Sequence, residues 1–187
     1  MAIYAAVLDA CVLGPISLAD TLLRAAEKQL FRPVWSARIL DETRLAIGAV
    51  HNELSTDLID RRIWHMNETF DGALVENFAM IEAGLALPDQ NDNHVLAAAL
   101  RGHCQAIVTA NLRDFPADYL ESMDIEAISP DDFLLNQLDL ATRPVLDCIW
   151  EQAEATRNPK RSIEEVLVSL SRAGAPNFAD EVLKRIR

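Results

Sequence analysis

Apolar residues follow two rhythms along this chain. Short unbroken runs, Ile3–Leu8 and Ala106–Thr109, have the length and β-branched content of strands buried on both faces. Ile125–Ile128 predicts a third strand, Phe31–Trp35 a short extended piece, and Leu74–Val75 a short strand or turn. Between these runs the apolar positions recur at helical spacing. Ser17, with Asp20 three residues on, reads as a capping-box-like start for a helix whose stripe is Leu22, Leu23, Ala26 and Leu30. Ser36 caps a second helix reaching about Val50, with Glu42 inside it. Ile59, Ile63, Met66 and Phe70 mark a third over 56–70, and 77–84 is also helical in pattern. The loop Leu87–Asp92 precedes an alanine-rich helix, Asn93 to His103. Ser129-Pro130-Asp131-Asp132 combines a capping serine, proline at the first helical position and an acid at the third. Alternation of strands and helices predicts an α/β fold, a three-layer α/β/α sandwich with a mainly parallel sheet.

Beyond about Leu140 the pattern is purely helical, broken at Asn158-Pro159 and Gly174-Ala175-Pro176. The expected division is a catalytic domain over 1–139 and a helical C-terminal extension over 140–187. A chain of 187 residues suits one domain with such an appendage. No stretch approaches the ~20 apolar residues of a membrane helix. The N-terminal run lacks a basic leader and is interrupted by Asp9, which predicts a buried strand rather than a signal peptide. Cys11, Cys104 and Cys148 form no CxxC pair, which excludes a zinc ribbon and predicts free, buried thiols in a reducing, cytoplasmic setting. His51, His65, His94 and His103 show no HExxH spacing and are expected to be structural or on the surface.

Four acids stand where the chemistry of a site competes with a bland reading. Asp9 follows the first strand and Asp114 follows the second through Ala110-Asn111-Leu112-Arg113. The carboxyl ends of parallel strands are the usual ligand edge, although a turn acid would look the same. Glu42 lies within a helix, where a solvated position is the plain alternative. Asp92 precedes the alanine-rich helix, where an N-cap is the plain alternative. Brought together, four carboxylates repel and raise one another's pKa. A divalent cation of the oxygen-loving kind, Mg²⁺ or Mn²⁺, resolves that repulsion and suits phosphodiester hydrolysis.

The blocks Val7-Leu8-Asp9-Ala10-Cys11-Val12-Leu13, Trp35-Ser36 with Ile39-Leu40-Asp41-Glu42, Leu87 through Ala99, and Val108 through Pro116 resemble, in order and spacing, the PIN-domain family and within it the VapC-type toxins. The resemblance covers about residues 3–135. It implies that Asp9, Glu42, Asp92 and Asp114 are catalytic and metal-binding, with Thr109 and Asn111 as supporting polar positions. Asp89 is an extra acid, and Asn91 stands where some relatives carry an acid. Arg38 and Arg113 are candidate phosphate contacts, with solvated surface charge as the alternative. The segment Arg172–Phe178 resembles the C-terminal extension of longer members. The resemblance further implies a metal-dependent endoribonuclease acting as the toxin of a type II toxin–antitoxin system, with an RNA substrate, a cognate antitoxin protein and a homodimer.

Charge bears on that expectation. The net charge is −12, and residues 51–150 carry five basic against eighteen acidic side chains, whereas 151–187 carry seven against six. Such a chain is no passive nucleic-acid coat, but cations at an acidic site reconcile it with an RNA substrate. A haloacid-dehalogenase-type phosphatase would want an acid where Cys11 stands, and no GxGxxG follows the first strand. A DNA-directed nuclease of related fold and a non-cutting PIN-like scaffold remain as alternatives. The presence of all four acids weighs against the scaffold.

Overall fold

The structure, a computed structural model, describes residues 4–157 and 159–186. Ile3, counted in the first predicted strand, lies outside the described residues. Strand β1 spans Ala5–Leu8 and leads through helix α1 (Ala10–Leu13) to α2 (Ile16–Glu27). β2 (Arg32–Ser36), α3 (Ala37–Val50), α4 (Thr56–Thr69) and β3 (Leu74–Val75) follow, then α5 (Ala79–Glu82) and α6 (Asn93–Arg101). β4 (Ala106–Val108), α7 (Ala117–Glu121) and β5 (Glu126–Ile128) complete the sheet. Four helices close the chain: α8 (Pro130–Leu140), α9 (Thr142–Ala155), α10 (Ile163–Arg172) and α11 (Pro176–Ile186).

The five strands pair in the order β3-β2-β1-β4-β5, every pair parallel. Successive steps from β1 to β3 go one way, and the crossover to β4 returns past β1. Right-handed connections therefore put α1–α4 on one face and α5–α7 on the other, giving three layers. The reversal falls between β1 and β4, the switch point where a crevice opens beyond the carboxyl ends of the strands. β1 is buried at every position and Ile107 and Val108 are fully buried, which accounts for the unalternating apolar runs.

Several starts obey their local signals. Ser36 accepts from the Ile39 amide at 3.2 Å and Ser129 from Asp132 at 3.1 Å. The expected Ser17–Asp20 cap does not form. The helix begins at Ile16 with extended Pro15 as its cap residue, so Ser17 already lies in the first turn, and Asp20 pairs with Arg24 at 3.1 Å. Gly102 ends α6 where a Cβ would stand 2.9 Å from Val34 Cγ1, so only glycine lets the helix pass β2 this closely.

The C-terminal helices share the main core: Val145, Ile149, Ala153, Val166 and Leu170 belong to the same buried cluster as Leu18 and Leu22. α9 packs on α2, α10 on α9 and α2, and α11 on α10 and α8. Two polar ties reinforce this. Thr21 donates to Gln152 at 2.6 Å in the interior. The buried Asp131 carboxylate accepts from the Phe178 amide at 2.8 Å and from the Asn177 side chain at 2.7 Å, capping α11.

Candidate active site

The switch point gathers the acids from four different elements. Asp9 leaves β1 with its amide bonded to the Val108 carbonyl at 3.1 Å, so the ends of β1 and β4 are tied directly. Its Oδ1 accepts from the Ala10 amide at 2.7 Å and caps α1. Its Oδ2 accepts from the Thr109 hydroxyl at 2.7 Å and from Cys11 Sγ at 3.2 Å. Thr109 is fully buried, and its hydroxyl also takes the Asn111 amide at 3.1 Å. Asn111 then donates through its side chain to the Asp114 carboxylate. One hydrogen-bonded chain thus runs from Asp9 through Thr109 and Asn111 to Asp114, and it needs the polar groups that the sequence pattern set beside the second strand.

Asp92 stands at the cap position of α6, yet its side chain makes no capping bond. The preceding turn of 3-10 helix, Gln90–Asp92, holds it at φ −88°, ψ −6°, whereas a capping residue needs extended backbone. Asp89 caps that turn, accepting from the Asn91 amide at 2.9 Å. Carboxylate oxygens of Asp89, Asp92 and Asp114 all lie within 4.8 Å of one another. The Asp92 carboxyl is pushed up to about 6, first by burial and then by the charges of Asp9, Asp89, Asp114 and Glu42. Those four acids are the electrostatic neighbours that the sequence could only suppose.

Glu42 projects from α3. Its Oε1 meets His94 Nε2 at 3.1 Å and Arg38 Nε at 3.3 Å. Burial raises its pKa and Arg38 opposes the rise, while Asp9 and Asp41 add to it. Arg38 also reaches Glu82 at 3.2 Å and the Asn91 carbonyl at 3.3 Å, clasping α3 to α5 and to the turn that carries Asp92. Arg113 is exposed at the rim beside Asp114. Burial lowers His94 to about 4, so its ring is neutral. Burial and Asp9 push the Cys11 thiol up to about 12. Cys104 and Cys148 are buried as expected but Cys11 is exposed, because it lies at the open end of the sheet; its sulfur still contacts Asp9, Thr109 and the Ala110 amide, the last at 3.2 Å. It is a hydrogen-bonding thiol, not a nucleophile.

The donor set is all oxygen and strongly anionic, a match for a hard divalent cation. Asp89 is exposed and Asp92 and Asp114 are half-buried, so the cluster is open to solvent. A 480 Å³ groove between α2 and α4, lined by Asp20, Arg24, Arg61 and Arg62 among others, contains none of Asp9, Glu42, Asp89, Asp92 and Asp114. An open acid cluster suits a phosphate on a polymer better than an enveloped small molecule.

Sequence reasoning passed over His94 and Cys11. The signal for His94 was present: a histidine on an otherwise alanine- and valine-rich helix, two residues after an acid. Nothing in the local pattern of Cys11 points to Asp9 as its partner.

Residues 5–113 match the PIN domain, and residues 130–184 match the family described as the VapC50 C-terminal domain. The chain is 42% identical over 88 residues to a protein of Mycobacterium tuberculosis (strain ATCC 25618 / H37Rv) described as "Putative ribonuclease VapC50". That match covers 47% of this chain and 52% of the relative, so the chain spans about half the length of the curated protein it matches. No solved structure matches significantly. With the PIN match extending over more than half of its residues, the parallel sheet to go with it and the extension matched separately, this chain belongs to the PIN-domain family, as a VapC-type member with a C-terminal extension.

Proposed function

We propose that this protein is a Mg²⁺- or Mn²⁺-dependent endoribonuclease, the toxin of a type II toxin–antitoxin pair. The observation that carries the reading is the convergence of Asp89, Asp92 and Asp114 within 4.8 Å, with Asp9 and Glu42 near enough to raise Asp92. Carboxylates at that spacing are mutually destabilising without a cation. When bound, a divalent cation neutralises charge on the phosphodiester and lowers the pKa of water. The remaining work belongs to the chain. Asp89, Asp92 and Asp114, whose carboxylates already converge, would hold the cation, with Asp9 and Glu42 as the further acids that would complete its surroundings. The Thr109 hydroxyl and the Asn111 amide keep Asp9 and Asp114 aimed inward. Arg113, beside Asp114 in sequence, and Arg38, beside Glu42, are both exposed and would meet substrate phosphates.

RNA as substrate follows from the relative's description as a ribonuclease. An antitoxin partner, a homodimer and a cytoplasmic setting follow from the VapC-type assignment. Among the described residues no helix is long and apolar enough to cross a membrane. In this reading residues 1–139 carry the nuclease chemistry and 140–187 are accessory to it.

Purified protein is expected to cut structured RNA with Mg²⁺ or Mn²⁺ and to stop with EDTA. Undiminished cleavage in excess chelator overturns the metal mechanism. Cleavage of DNA but not of RNA moves the substrate class, and RNA binding with no cleavage under any divalent cation leaves a scaffold. A neighbouring reading frame whose small product co-purifies with this chain and blocks cleavage supports the antitoxin assignment.

A further inference from the structure

Two side-chain nitrogens come close to Glu42, and both face the same oxygen. His94 Nε2 lies 3.1 Å and Arg38 Nε 3.3 Å from Oε1, and neither contact involves Oε2. His94 sits in the first turn of α6, two residues after Asp92, with only 1% of its surface exposed. A carboxylate only accepts hydrogen bonds, so a bond from His94 to Glu42 would place the hydrogen on Nε2 and leave Nδ1 as a bare acceptor. That Nδ1 is buried with no partner. For packing alone this is a poor choice of residue. Leucine fills similar volume without stranding a polar atom, and stranding one is costly. The neighbouring Asn93 is committed to its own loop, accepting from Leu87 at 3.0 Å and donating to Leu85 at 3.1 Å, which fixes the start of α6.

We propose that His94 is a positioning residue. From the buried side of α6, its Nε2–H holds Oε1 of Glu42 and so sets where Oε2 stands relative to Asp92. α6 thereby positions one acid by its backbone and a second, on α3, by its imidazole. Arg38 shares the oxygen but is half exposed, whereas His94 is almost fully buried, so His94 is the better shielded of the two neighbours. The inference rests on the reading of the acid cluster as a cation site. It goes beyond that reading in assigning the geometry of Glu42 to a residue outside the acids.

The test compares Mn²⁺ binding by calorimetry and melting in EDTA for wild type, His94→Gln, His94→Asn and His94→Leu. Glutamine can place an amide N–H where Nε2 stands, asparagine reaches only the Nδ1 position, and leucine offers no donor. Loss of a residue that orients a metal ligand typically costs ~10–100-fold in metal affinity. The expected result is a loss of that size for His94→Leu and His94→Asn, with most of it recovered in His94→Gln. In a Glu42→Gln background the further change to leucine should add nothing, because His94 acts through Glu42. Folded His94→Leu or His94→Asn binding Mn²⁺ as wild type does overturns the inference, as does an equal loss in both backgrounds or a glutamine variant as poor as asparagine. If leucine prevents folding, the asparagine–glutamine contrast decides. Folded wild type that binds no Mn²⁺ removes the cation reading itself, and this inference with it.

Discussion

Replacing Asp92 by asparagine separates a metal-holding acid from a helix cap. Asp92 occupies the cap position of α6 without making a cap bond, so the amide forfeits no hydrogen bond there. It does remove a charge from a crowded site. The carboxyl is raised from 3.8 to about 6 by burial and by four neighbouring acids. At ~1.36 kcal/mol per pKa unit the full shift corresponds to about 3 kcal/mol. Asp92 is partly exposed, and solvent screening reduces this to roughly 1–2 kcal/mol. The sign follows from the direction of the shift. A carboxyl whose pKa is higher when folded is destabilising in its ionised form, fully so above pH ~6 and not at all below the unfolded value near 4. Without metal, Asp92→Asn should therefore melt about 2–8 °C above wild type at pH 7.5, and the difference should close as pH falls toward 4. With Mn²⁺ the order reverses, since the variant binds the cation weakly. Cleavage should fall by about two to four orders of magnitude if on the order of 3–5 kcal/mol of charge stabilisation at the transition state is lost. Asp132→Asn is the control. That acid accepts from Ser129 Oγ at 2.6 Å in the cap of α8, and its loss should leave cleavage and Mn²⁺ binding unchanged. An Asp92→Asn protein that melts below wild type in EDTA at pH 7.5, or cleaves at the wild-type rate with the same Mg²⁺ dependence, refutes the reasoning.

Other consequences are open to measurement. Asp131→Ala removes the buried acceptor that holds Asn177 and Phe178 and should cost roughly 2–4 kcal/mol in denaturant unfolding; a change under 0.5 kcal/mol would mean α11 is held by its apolar face alone. Arg113→Gln should weaken single-stranded RNA binding and reduce the salt slope by about 0.7, as one lost phosphate contact does; an unchanged slope returns Arg113 to solvated surface charge. A chain ending at Asp139 uncovers Leu18 and Leu22 on α2, so it should unfold more readily, while its folded fraction, measured by Mn²⁺ titration, keeps the cation affinity of the full chain. A folded truncation without Mn²⁺ binding would make the C-terminal helices part of the site.

Much of the layout was legible because it depends on neighbours along the chain. Val7-Leu8 and Ile107-Val108 announce themselves as doubly buried strands by having no polar alternation. Ser36 and Ser129 cap helices because each is followed by a run whose first amides need an acceptor. Asp9 and Asp114 could be singled out because each follows such a strand. Local pattern failed where backbone direction, not side-chain type, decides. Ser17 has the chemistry of a cap but lies past Pro15, where the chain already turns as a helix. Asp92 also has that chemistry, but the 3-10 turn before it closes the extended backbone a cap requires and leaves the carboxylate to the cluster. Helical spacing alone does not choose among the partners of Arg38, Glu42 and His94. They meet because the crossover from β3 to β4 carries α6 past the ends of β1 and β2, and contacts so distant in sequence exist only once the strand order is set.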